Sequence, residues 1–198
     1  KAQDTNVKNR AELNLIVGQA YYEKGDYKKA LPYLEYAVTN GADLRPSDYY
    51  QLGYAQYRSG YFKEAAMNFE QLDKQDSLLG QNALYHLGDS YLRLGNKTKA
   101  HTAFGQAASV SYDKSVQEDA LINYAKLSYE LKNDRQAIES LQKFQPSSKY
   151  YEEAQNLLGL VLLNTRDYDR AISILENVKN RTPRVNQAYQ TVTYNRGV

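Results

Sequence analysis

The sequence contains no cysteine and no tryptophan. The first absence excludes disulfides, thiolate metal sites and cysteine nucleophiles, and is compatible with a reducing or an oxidising compartment. Histidine is nearly absent as well. His86 and His101 stand 15 residues apart and form no H-E-x-x-H or similar ligand pair. With no catalytic partners near it in sequence, His86 reads as a residue on a helix surface. There is no G-x-S-x-G elbow, no G-x-x-x-x-G-K-[ST] loop and no G-x-G-x-x-G after a strand. No apolar run approaches the ~20 residues that cross a bilayer. The leading KAQDTNVKNR lacks the apolar stretch of a signal peptide, although a signal already removed would leave no trace. Twenty-five basic and 23 acidic side chains are spread without a like-charge block, which argues against a nucleic-acid or anionic-membrane footprint.

What is present is repetition. Gly18, Gly53, Gly88, Ala125 and Gly159 recur at intervals of 35, 35, 37 and 34 residues with similar flanks. That is the spacing expected when one helical hairpin is copied and stacked. Alignment on these small residues gives units at about 11–44, 46–79, 81–114, 118–151 and 152–185. Each unit reads as two helices. VGQAYYEKGDYKKALPYLEYA carries Val17 and Gly18 on one helix, breaks at Gly25 and Asp26, and resumes with Ala30, Leu34 and Ala37 at helical spacing. LGYAQYRSGYFKEAAMNFEQL and LGDSYLRLGNKTKAHTAFGQA repeat the pattern. A glycine inside a helix costs about 1 kcal/mol relative to alanine, so a recurring one implies a close neighbour. Tyr27, Phe62 and Tyr168, just after the turns, are placed to brace their hairpins.

These residues resemble the tetratricopeptide repeat, with its signature W-x2-L-G-x2-Y, A-x3-F and P. The Leu-Gly pair is found at Leu52 and Gly53, Leu87 and Gly88, and Leu158 and Gly159; the signature alanine at Ala30, Ala65, Ala100, Ala137 and Ala171. Tyr49 and Leu84 replace the tryptophan in their units. The resemblance implies an all-α fold, a right-handed superhelical solenoid of antiparallel helix pairs, with about five units and a truncated sixth. Residues 1–10 are then an extension or the end of a preceding repeat. Residues 11–185 form the array, and 186–198 begin a sixth unit whose small position is Thr193 or Gly197. An unfinished last unit predicts that the array continues beyond both ends. Unit four departs most: Ala125 replaces glycine, Lys132 stands at the turn, Asp134 replaces the aromatic, and Pro146 predicts a helix stop near Phe144. Residues 115–117 read as a spacer before it, with a local bend.

Twenty tyrosines are the compositional bias to explain. Tyr21, Tyr27, Tyr91 and Tyr168 fall at packing positions. In the family, positions 2, 5, 9 and 12 of each first helix line a concave surface, and steps of three and four residues keep such side chains on one face. The resemblance therefore places Glu12, Leu15, Gln19 and Tyr22 there from unit one, and Ser47, Tyr50, Tyr54 and Tyr57 from unit two, with Arg58 beside them. Unit three supplies Asn82, Tyr85, Asp89 and Leu92, with Arg93 beside them; unit four supplies Asp119, Ile122, Lys126 and Tyr129. Tyrosines so placed offer apolar area, a hydroxyl group and low entropy cost, the chemistry of binding hot spots. The alternative is that the rings pack against adjacent helices.

The leading reading is a noncatalytic scaffold that binds a peptide segment or protein partner along the concave face, with no cofactor and no metal. The groove residues are Tyr22, Tyr50, Tyr54, Tyr57, Arg58, Tyr85, Asp89, Arg93, Lys126 and Tyr129. The lysine, asparagine and arginine clamp by which some family members hold a C-terminal carboxylate is missing: Leu15, Gln19, Tyr50 and Tyr54 occupy its stripe. An alternative is glycan or peptidoglycan recognition by ring stacking, since YYEEAQNLLG at 150–159 and the tyrosine content look like envelope-associated bacterial members of the family. Single-stranded nucleic acid is a third class, disfavoured by the near-neutral charge. Asn96-Lys97-Thr98 and Asn180-Arg181-Thr182 match the glycosylation sequon, but asparagine also suits the turn at Asn96 for conformational reasons.

Overall fold

A computed structural model describes residues 2–72, 76–164 and 167–197. Among these residues there are eleven α-helices and no strand. The chain divides into two compact units, residues 1–116 and 117–198. The first contains α1 (Ala2–Glu23), α2 (Tyr27–Thr39), α3 (Pro46–Arg58), α4 (Phe62–Glu70), α5 (Leu78–Arg93) and α6 (Lys97–Ser109). The division falls within the first turn of α7 (Lys114–Glu130). The second unit holds the rest of α7, α8 (Asp134–Leu141), α9 (Tyr151–Leu163), α10 (Tyr168–Glu176) and α11 (Pro183–Arg196).

Local chemistry makes the helices pair. At the end of α1 the Asp26 amide donates to the Tyr21 carbonyl and the Gly25 amide to the Tyr22 carbonyl, at 3.0 and 2.8 Å. This crossed pair of bonds needs a left-handed residue after the helix, and Gly25 has φ +75°. The same two bonds recur at Tyr61 and Gly60, at Asn96 and Gly95, and at Asn133 and Lys132. Lys132 takes up the left-handed conformation with φ 63°, so the turn of unit four keeps its shape without glycine. Each following helix then starts at once. Asp26, Asn96 and Asp167 accept from the amides of Lys29, Lys99 and Arg170, which satisfies one of the free donors at the helix start.

The repeated small residues are where helices meet. Ala30, Ala65, Ala100, Ala137 and Ala171 are all fully buried. A Cβ built on Gly18 would lie 2.7 Å from Leu34 Cδ2, one on Gly88 2.8 Å from Phe104 Cδ1, and one on Gly53 3.1 Å from Phe69 Cε1. The second helix of each of the first three hairpins thus presses a large side chain onto the first helix where a methyl group is missing. Gly159 is different: the nearest atom to its added Cβ is the Arg184 carbonyl oxygen at 3.3 Å, so this glycine accommodates the start of α11. Ala125 is fully buried in the core of the second unit, which also contains Leu141, Leu158 and Leu162.

Two buried polar side chains tie loops to helices in the first unit. The Asp48 carboxylate, 1% exposed, accepts from the Arg45 amide and from Gln19 Nε2, both at 2.7 Å, and so joins α1 to the start of α3. Gln81 on α5, also 1% exposed, donates to the carbonyls of Ala107, Val110 and Asp113 and accepts from the Asp113 amide at 2.7 Å. One amide therefore satisfies the backbone that leaves α6.

Several boundaries differ from the sequence reading. Residues 115–117 lie inside α7, not in a spacer, because the Asp113 carboxylate accepts from the amides of Ser115 and Val116 and starts the helix there. α8 ends at Leu141, three residues before Phe144, and Phe144 is buried in the core of the second unit. Residues 2–10 continue α1 without a break. α11 begins at Pro183 and buries Val185, Ala188 and Val192, whereas Thr193 and Gly197 are exposed. Lys1 and Val198, the extreme ends of the expected terminal segments, lie outside the described residues. Both sequons have structural explanations: Asn96 caps α6, and Thr182 caps α11 by accepting from the Val185 amide.

Candidate binding surface

The first helix of each hairpin in the first unit contributes rings to one continuous cluster. On α3, Tyr50, Tyr54 and Tyr57 are spaced four and three residues apart and so share a face; Tyr54 stacks between the other two, with ring centroids 6.1 Å apart on each side. From α1, Tyr22 meets Tyr54 edge-on at 6.0 Å, and Tyr27 at the start of α2 meets Tyr54 at 5.2 Å. From α5, His86 reaches across to Tyr54, Tyr57 and Tyr50 at 5.0, 5.3 and 6.1 Å. Tyr85 packs on His86 at 5.4 Å and on Phe104 at 5.7 Å. The cluster thus spans α1, α3 and α5 and is rooted in the core through Phe69 and Phe104. Tyr22, Tyr50, Tyr54, Tyr57 and Tyr85 are all half-buried.

Charged groups border the rings. The Arg58 guanidinium lies 4.9 Å from the Tyr27 ring centre and 5.8 Å from that of Tyr54, and donates to the Tyr54 hydroxyl at 3.2 Å. Tyr57 donates its hydroxyl proton to Asp89 Oδ2 at 2.5 Å, and Arg93 Nε lies 3.4 Å from the same oxygen. Burial, reinforced by the hydrogen bond to Asp89, pushes the Tyr57 hydroxyl up to about 12. Burial also raises Tyr22 and Tyr50 well above the usual phenol range. These hydroxyls remain protonated donors at any physiological pH. Burial pushes His86 down to about 4 against a weaker opposing pull from Asp89, so the imidazole is neutral, and its Nδ1 is buried without a hydrogen-bond partner.

The family model described as the ARM repeat of tetratricopeptide repeat protein 21 matches residues 6–167, and the tetratricopeptide repeat model matches residues 152–184. The chain belongs to the tetratricopeptide repeat family. Solved structures with the same fold include YrrB, described as a tetratricopeptide repeat protein with an unusual peptide-binding site. It is 12% identical, with TM-score 0.64, over 93% of this chain and 91% of that one. A tetratricopeptide repeat protein from Parabacteroides merdae is 19% identical, with TM-score 0.61, over 96% of this chain and 74% of the other. MamA from Desulfovibrio magneticus RS-1 is 19% identical, with TM-score 0.58, over 92% and 96%. Among curated proteins, none matches the sequence significantly.

Tetratricopeptide arrays serve in general as noncatalytic scaffolds for protein contacts, and this chain has the fold of one. No helix among the described residues is long and apolar enough to cross a membrane. Within the repeat register, Tyr22, Tyr50, Tyr54, Tyr57, Arg58, Tyr85, Asp89 and Arg93 all lie in or beside the one cluster of the first unit. Lys126 and Tyr129 belong to the second unit and form separate contacts. Lys126 Nζ pairs with Glu153 at 2.7 Å, while the Tyr129 hydroxyl accepts from Asn164 Nδ2 at 3.1 Å with the Lys132 ammonium 5.7 Å from its ring centre.

His86 corrects the sequence reading, which puts it on a helix surface. It sits one residue beyond Tyr85, and the helical turn points it at α3 among three tyrosine rings and Phe69. His86 stands three residues before Asp89, but that spacing does not by itself identify α3 as the neighbour it faces. Tyr27 and Phe62, assigned only to hairpin bracing, also touch the cluster, Phe62 through Tyr57 at 5.7 Å.

Proposed function

We propose that the first unit is a docking surface for a peptide segment of a protein partner, with Tyr50, Tyr54, Tyr57 and Tyr85 as anchors and Tyr22 at one margin. The observation that carries this reading is the cluster itself: half-buried aromatic residues from three successive first helices in mutual contact, bordered by Arg58, Asp89 and Arg93. Aromatic rings held by neighbours lose little entropy when a ligand covers them, which is why tyrosine and arginine dominate binding hot spots. The Arg58 and Arg93 guanidiniums and the Asp89 carboxylate supply the polar rim that fixes peptide register. The unusual peptide-binding site ascribed to YrrB, which shares the fold, favours a peptide as the occupant. Lys126 and Tyr129 make separate polar contacts on the second unit, with Glu153 and with Asn164.

Peptides selected on the intact chain from a random library test the proposal. Tyr54→Ala combined with Tyr85→Ala is expected to weaken a selected peptide at least about tenfold while the helical circular dichroism is unchanged. Peptides that bind the double variant as well as the parent protein would place the docking surface elsewhere.

A further inference from the structure

A second, independent feature lies in the second unit. Gln155 on α9 stands three residues before Leu158 and four before Gly159, the place that the family signature gives to tryptophan. It is 5% exposed, and its Oε1 is buried without a hydrogen-bond partner. Gln155 lines a pocket of about 210 Å3 whose apolar surface comes from Phe144, Leu158, Ile174 and Val178. Tyr151 closes one margin by donating its hydroxyl proton to the Lys179 carbonyl at 2.5 Å.

Two facts define what would fill this space. One benzene ring fits a cavity of roughly 150 Å3, so this open pocket of about 210 Å3, lined also by Gln142, Gln145 and Asn177, has room for a single aromatic group. A buried carbonyl oxygen with no donor is costly and requires a partner. The last torsion of a glutamine side chain is soft, so the amide can turn its oxygen to a donor in the pocket with little strain. We infer that this pocket binds one aromatic ring carrying an N–H or O–H donor, an indole or a phenol, with Gln155 Oε1 accepting its hydrogen bond. A free aromatic small molecule and an exposed tryptophan or tyrosine side chain of a peptide share this chemistry. The site does not depend on the tyrosine cluster of the first unit.

The lack of tryptophan makes the test direct, because indole emission comes from the ligand alone. Indole titrated into the intact chain is expected to shift its emission to the blue with saturation on the order of 1 mM or below. Gln155→Leu, which keeps the side-chain bulk and removes the acceptor, is expected to weaken indole at least about fivefold. It should leave unchanged, or strengthen, competition by benzothiophene, which has the same shape and no donor. Val178→Phe, which fills the pocket, should abolish binding of both. Circular dichroism and thermal melting of each variant establish that it is folded. The pentapeptide Gly-Gly-Trp-Gly-Gly distinguishes the sources: binding comparable to indole assigns the pocket to a side chain, and binding of indole alone to a free ring. No saturable shift with either probe, or equal indole binding by the parent protein and Gln155→Leu, would overturn the inference and leave the pocket to water.

Discussion

His86→Phe provides a quantitative test of the aromatic cluster. In the folded protein burial lowers the imidazole from 6.5 to about 4, and the unfolded chain has the ordinary value. The fold therefore keeps the neutral form. As pH falls below about 6.5 the unfolded chain binds a proton that the folded one refuses, and stability is lost until about pH 4, where the loss levels off. The difference of 6.5 − 4 = 2.5 corresponds to about 3 kcal/mol in full, at 1.36 kcal/mol per unit, and to about 2 to 3 kcal/mol at pH 4.5. Phenylalanine keeps a ring among Tyr50, Tyr54, Tyr57, Tyr85 and Phe69 but has no proton to gain. Carboxylates held low by exposed partners, such as Asp26 beside Lys29 and Glu139 beside Arg135, also lose stabilisation in acid, but equally in both proteins. The assay is urea unfolding followed by circular dichroism at pH 7 and pH 4.5 for parent and variant. Between the two pH values the midpoint of the first unit should fall further in the parent protein, by roughly 1 M urea for a typical slope. Absolute stability at pH 7 is not diagnostic, because losing an unpartnered nitrogen and gaining a bulkier ring act in opposite directions, each by about 1 to 3 kcal/mol. Equal pH dependence in the two proteins would refute the burial of His86 in a neutral state.

Two further outcomes follow from the packing of the first unit. Gly88→Ala should lower the thermal midpoint more than Gly53→Ala, because the new methyl group meets the Phe104 ring at 2.8 Å in one case and Phe69 and Asn68 at 3.1 Å in the other. Strain of about 1 to 3 kcal/mol opposes a helical gain of about 1 kcal/mol, and equal melting of the two variants would contradict the ring contact. Gln81→Leu should destabilise the first unit by about 2 to 4 kcal/mol, because the Asp113 amide and the carbonyls that Gln81 serves lose their buried partner. Hydrogen exchange at the Asp113 amide should accelerate, and unchanged protection there would refute the role of Gln81.

The parts of this fold written as repeated spacing are readable from the sequence, and those that depend on contacts between distant residues are not. Gly25, Gly60 and Gly95 announce their turns because only glycine adopts the left-handed conformation at low cost, and Ala30, Ala65 and Ala100 announce burial by recurrence. Lys132 shows that the same turn forms without the signal. The burial of His86 is not legible because a single helical position decides between solvent and a neighbouring helix, and periodicity alone does not identify the neighbour. Gly159 follows the ladder in sequence but serves a different contact, with the backbone of Arg184. The helical start at 115–117 is hidden because Asp113 caps α7 from a stretch with no repeat-like pattern.

The close approach of Phe104 to Gly88 and of Phe69 to Gly53 also constrains how such a sequence can change over time. A methyl group gained on the first helix obliges the facing side chain to shrink or move, so the two positions are sterically coupled. Unit four, with alanine at 125 and leucine at 141, both fully buried, accommodates the methyl group, although in unit one the leucine at 34 lies 2.7 Å from the Cβ position of Gly18. A side chain added at 88 is therefore expected to be relieved by a smaller residue at 104, a repair confined to one hairpin that leaves the contact of Gly53 with Phe69 as it is.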